Sequence, residues 1–162
     1  MSYRLSSKRF ARVKEKIISY MKINYNIKKV TFLDYDSLKK DSDRIDSESD
    51  GIYYPDTRKI YVRAEDRSYV EQLITLLHEC GHVVTISNNA HNYHIYYSNS
   101  FAKDIKEIKS NNSRIDLIRE EIVAWEEGFK LNKELRVNIP WNIYGVEYRG
   151  LMITLIESLN FK

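Results

Sequence analysis

The chain has 162 residues, 43% of them apolar, which is enough for one compact core and too few for two, so a single domain over 1–162 is expected. No stretch approaches the roughly 18 uninterrupted apolar residues of a membrane span, and the N-terminal "MSYRLSSKRFARVKEKII" lacks the apolar centre of a secretory signal, so a soluble, cytoplasmic protein is predicted. The net charge of +3 is uneven, with nine Lys or Arg against Glu15 alone in residues 1–30, but such charges suit the solvated side of a helix and give no strong nucleic-acid signal.

From Ser6 or Ser7 to about Tyr25, the apolar residues Phe10, Val13, Ile17 and Met21 recur at helical spacing and predict an amphipathic first helix. "KKVTFLDY" (28–35) is β-branched and aromatic and reads as a strand, and the acidic 36–51 reads as a loop. Within it "DSESDG" (46–51) imitates the start of a calcium loop. Thr57 stands where that loop would end in a bidentate Glu, and the next segment reads as strand rather than helix, so calcium is disfavoured. "IYYPDTRKIYVR" (52–63) reads as two strands around a Pro-Asp-Thr-Arg turn, which predicts a small antiparallel sheet.

Ser68 and Glu71 form a capping-box pattern that starts a helix to about Ile86. Residues 87–100 lack a helical period and read as a loop, followed by a short helix through Phe101, Ile105 and Ile108. A second capping-box pattern, Ser113 with Asp116, predicts a helix to about Arg136. Pro140 interrupts, and Leu151, Leu155 and Leu159 suggest a final packed helix. The fold class is therefore α+β, mainly helical, with the small sheet packed beside the helix that begins at Ser68.

That helix contains "LITLLHECGHVVT" (73–85), an H-E-x-x-H pattern formed by His78, Glu79 and His82. At about 100° per residue the two imidazoles project in nearly one direction and can share a metal ion, with the Glu79 carboxylate beside them. Leu73, Leu76, Leu77, Cys80 and Val84 gather on the opposite side, so Cys80 is read as core packing. Catalytic zinc requires a third protein ligand. A histidine six residues beyond His82 would suit a metzincin, but Asn88 occupies that position. In "IDLIREEIVAWEEGFK" (115–130), Glu121 has Leu117, Ile118, Ala124, Trp125 and Gly128 at helical spacings. An inward carboxylate among them would need a partner such as a metal. Glu120 shares a face with Asp116 and Glu127 and reads as solvated, so Glu121 is favoured as the ligand.

"HECGH" followed by "EIVAW" (121–125), after a strand pair and an amphipathic front helix, resembles the ImmA/IrrE type of small zincin metallopeptidase. The resemblance covers roughly residues 50–135. It implies a zincin-like fold, Zn2+ as cofactor, His78, His82 and Glu121 as ligands, and Glu79 as catalytic acid/base. Such proteins are frequent in bacteria, prophages and mobile elements. Trp125 departs from the pattern, since many relatives carry a small polar residue there.

The expected function is metalloendopeptidase cleavage of a specific protein or peptide substrate, with Glu79 taking a proton from a zinc-activated water. The strand Lys59–Arg63 is a candidate for edge pairing with an extended substrate. His91, Tyr93 and His94 are candidate oxyanion donors, while Trp125 and Trp141 read as core or interface aromatics. The alternative is a zincin-fold binding protein without efficient proteolysis, which captures a regulatory or defence protein.

Overall fold

The computed structural model describes residues 4–34, 36–37, 50–88 and 110–158. The elements are α1 (Ser7–Tyr25), β1 (Lys29–Leu33), β2 (Gly51–Tyr54), β3 (Lys59–Arg63), α2 (Tyr69–Asn88), α3 (Asn111–Glu134) and α4 (Trp141–Ser158). The described residues are thus mainly helical with one small sheet, an α+β arrangement. No helix among the described residues is long and apolar enough to cross a membrane.

Helix α1 forms as its spacing predicts. Ser6 caps it by accepting from the Arg9 N–H, Asn26 ends it in the left-handed conformation, and Phe10, Val13, Ile17 and Met21 are buried. Helix α2 is the central element, with residues buried on nearly every side, as befits a helix surrounded by other elements. Its capping box is present in full: the Ser68 N–H donates to Glu71 Oε2 at 2.6 Å and the Glu71 N–H to Ser68 Oγ at 3.3 Å.

The sheet is mixed rather than antiparallel. Its order is β1-β3-β2, with β2 and β3 an antiparallel hairpin and β1 parallel to β3. Strand propensity identifies the three segments but not that β1 passes over its sequence neighbour to pair with β3. Ile60 and Val62 point into the main core, while Tyr61 packs on the other face with Leu33, Ile52 and Tyr54, the two-residue alternation of a strand.

Two further expectations need correction. Ser110, not Ser113, caps α3: its hydroxyl accepts from the Ser113 N–H, placing Ser113 inside the first turn. In α4 the packed residues are Tyr144 and Met152, with Leu155 partly buried, whereas Leu151 is 40% exposed. The turn between α3 and α4 is held by Asn132, whose side chain bonds both the N–H and the carbonyl of Ile139. Most of the expected 36–51 loop, the expected helix through Phe101, Ile105 and Ile108, and Leu159 lie outside the described residues.

Candidate metal centre

His78 and His82 stand one turn apart on α2, and their Nε2 atoms face each other at 3.2 Å. Glu121, from α3, places Oε2 at 3.3 Å from His78 Nε2 and Oε1 at 3.5 Å from His82 Nε2. Tetrahedral zinc with bonds of about 2.0–2.1 Å separates its ligand atoms by roughly 3.3–3.4 Å. The two Nε2 atoms stand at about that separation, and each has a Glu121 oxygen at a similar distance, Oε2 for His78 and Oε1 for His82, so among the described residues this group can hold a metal ion.

The proximity of α2 and α3 has a steric origin. A Cβ on Gly81 would collide with the Ala124 carbonyl, and one on Gly128 would lie 2.5 Å from both the Leu77 carbonyl oxygen and the Tyr144 hydroxyl. Two glycines and Ala124 thus let the helix backbones approach closely, which carries Glu121 to the histidines. These glycines are functional in placement, a role that sequence reading missed. Their signal was glycine inside otherwise helical patterns, which points to close packing when it is not a cap.

The third-ligand geometry corrects the facing argument. The buried stripe of α3 runs through Leu117, Glu120, Ala124, Gly128 and Leu131, so Glu120 is buried rather than solvated. Its Oε1 is 3.9 Å from His82 Nδ1, on the opposite side of the ring from Glu121. Glu121 lies at the stripe's margin, its side chain 25% exposed, and it is this carboxylate that reaches both Nε2 atoms. Partial burial alone would raise the Glu121 pKa, but attraction to His82 and a hydrogen bond with His78 prevail and hold it down to about 2.

Glu79 is 5% exposed. Burial pushes its carboxyl up to about 7; His82 and the Tyr53 N–H oppose that rise, and Glu121 adds to it. The β2 backbone lies directly over this group, since a Cβ on Gly51 would be 2.9 Å from Glu79 Oε1. Cys80 is fully buried in the core, and burial raises its thiol pKa, with Glu79 acting in the same direction.

Behind the histidines, Trp125 is 3% exposed and its ring stacks on His78 at a centroid distance of 4.3 Å and an interplanar angle of 25°. Trp125 is a core aromatic, as its pattern suggests, but its contact with His78 has no signature in the sequence. Trp141 is 52% exposed and packs against Phe129. His78 Nδ1 is buried and has no hydrogen-bond partner among the described residues.

Strand β3 is central in the sheet and paired on both sides, so it cannot accept a substrate by edge pairing. The candidate oxyanion donors His91, Tyr93 and His94 lie outside the described residues. Of the calcium-like stretch, Asp46 to Ser49 also lie outside them; the Asp50 carboxylate is engaged by Arg67 at 2.6 Å, and Gly51 begins β2. No family model, curated protein or solved structure matches the chain.

Proposed function

We propose that this chain is a zinc-dependent metalloendopeptidase of the zincin kind, acting on a specific protein or peptide substrate. The observation that carries this reading is the convergence of His78, His82 and Glu121: the two Nε2 atoms stand 3.2 Å apart, with a Glu121 oxygen 3.3 Å from that of His78 and the other oxygen 3.5 Å from that of His82. Two imidazole nitrogens and one carboxylate oxygen form a donor set suited to catalytic zinc, which leaves its remaining position to water or substrate. The resemblance of "HECGH" and "EIVAW" to the ImmA/IrrE type points the same way.

A bound zinc ion supplies Lewis acidity, lowering the pKa of water towards about 7 and polarising a carbonyl oxygen. The protein's residues divide the remaining work. His78, His82 and Glu121 fix the position of the ion. Glu79 is not needed as a ligand. Burial brings its carboxyl to about 7, which suits a group that must take a proton from the attacking water and return it to the leaving amine near neutral pH. An extended peptide would run along β2, the outer strand whose Gly51 adjoins Glu79, rather than along the central β3.

Glu79→Gln separates the two roles. The expected outcome is retention of zinc with loss of cleavage of a fluorogenic peptide library by at least about 100-fold, the lower range of a general-base contribution. Cleavage by Glu79→Gln equal to that of the zinc-loaded wild type would contradict the assignment.

A further inference from the structure

Histidines that bind metals ordinarily donate their second ring N–H to a carboxylate, carbonyl or water, which fixes the ring's orientation. The two histidines here differ in what lies beside that nitrogen, and neither makes a hydrogen bond of ordinary length there to a described residue. His82 Nδ1 faces the buried Glu120 carboxylate at 3.9 Å. His78 Nδ1 is buried and has no hydrogen-bond partner among the described residues, so none of their groups sets the plane of its ring through that atom. The last torsion of a histidine side chain is also broad, and rotamer preference leaves the plane loosely defined.

The Trp125 indole supplies the missing constraint. It lies nearly parallel to the His78 ring, 4.3 Å away between centroids. Trp125 is itself clamped: Tyr144 packs edge-on at 5.3 Å, and the Tyr144 hydroxyl donates to the Trp125 carbonyl at 3.1 Å. The surface on which His78 rests is therefore held through both its ring and its backbone.

We infer that Trp125 is a positioning residue that orients His78 for metal binding by stacking, where no described residue accepts a hydrogen bond from His78 Nδ1. The contact also favours the loaded state. An imidazole that gives its lone pair to a cation becomes electron-poor, and the electron-rich face of an indole attracts it more strongly. Phenylalanine would provide a flat surface with a weaker face, and leucine would fill space with no face at all. This inference rests on the metal-centre reading of His78, His82 and Glu121.

The test is zinc affinity of the full chain, measured by competition with a chelator, for the wild type, Trp125→Phe and Trp125→Leu, each verified as folded by circular dichroism. Outer-sphere partners of metal-binding histidines are worth about 10- to 100-fold in affinity, and Trp125→Leu should lose an amount in that range. Trp125→Phe should fall between the two, and its cobalt-substituted form should show altered visible absorption. A role in packing alone would lower thermal stability without changing zinc affinity in the folded protein. A folded Trp125→Leu that binds zinc as tightly as the wild type overturns the inference. If Trp125→Leu does not fold, Trp125→Phe decides: several-fold weaker binding supports the inference, and equal binding overturns it. A folded wild type that takes up no zinc would instead remove the metal-centre reading beneath it.

Discussion

Gly81 and Gly150 occupy opposite extremes among the helical glycines. At Gly81 a single methyl group meets the backbone of α3, whereas at Gly150 it meets nothing within 4 Å. Gly81→Ala must therefore push α2 and α3 apart, at a cost of about 1–3 kcal/mol or more, the range for overpacking. Because those helices carry the histidines and Glu121, zinc binding should weaken as well. Gly150→Ala should stabilise α4 by up to about 1 kcal/mol, the helix preference of alanine over glycine. Thermal unfolding of both variants checks the contrast, and equal melting temperatures for the two would contradict the close-approach argument. Individual residues were unevenly legible at this scale. His78, Glu79 and His82 stood out because their spacing lies within one helix. The burial of Glu120 did not, because assigning the face of α3 requires knowing which stripe meets α2.

Helix α2 begins with a reciprocal cap whose carboxylate titrates. A hydrogen bond from the Ser68 hydroxyl lowers the Glu71 pKa against the opposing effect of burial, and the Ser68 backbone N–H and the nearby Arg67 add to the lowering. A carboxylate with a depressed folded pKa contributes stability that is present above its unfolded value, about 4.3, and lost as pH falls through the folded value. The difference in melting temperature between wild type and Glu71→Gln should be full at neutral pH and should close under acid. A difference that stays constant to low pH would contradict the charged cap. This cap was legible in advance because Ser68 and Glu71 are three residues apart. The order β1-β3-β2 was not, since the relevant pairing joins residues 29–33 to 59–63 across an intervening strand. Likewise, Ser110 lacks the acidic residue three positions later that makes Ser113 conspicuous.

Across the whole molecule, core and candidate site are one construction. Helix α2 packs Leu73, Leu76, Leu77 and Cys80 into the core while presenting His78, Glu79 and His82 to α3 and the sheet. Strand β2 covers Glu79, α3 brings Glu121, and Tyr144 of α4 holds Trp125 behind His78. A metal ion held by His78, His82 and Glu121 would offset the cost of gathering these polar groups beside the core. Helical composition and the principal motif were readable from local periodicity, whereas the convergence of α2, α3 and β2 depends on long-range packing. The most direct test is elemental analysis of the purified wild type alongside His78→Ala and Glu121→Ala. Close to one zinc ion per wild-type chain is expected, with loss in both variants. A folded wild type that contains no metal and takes up no added zinc would contradict the metal-centre reading.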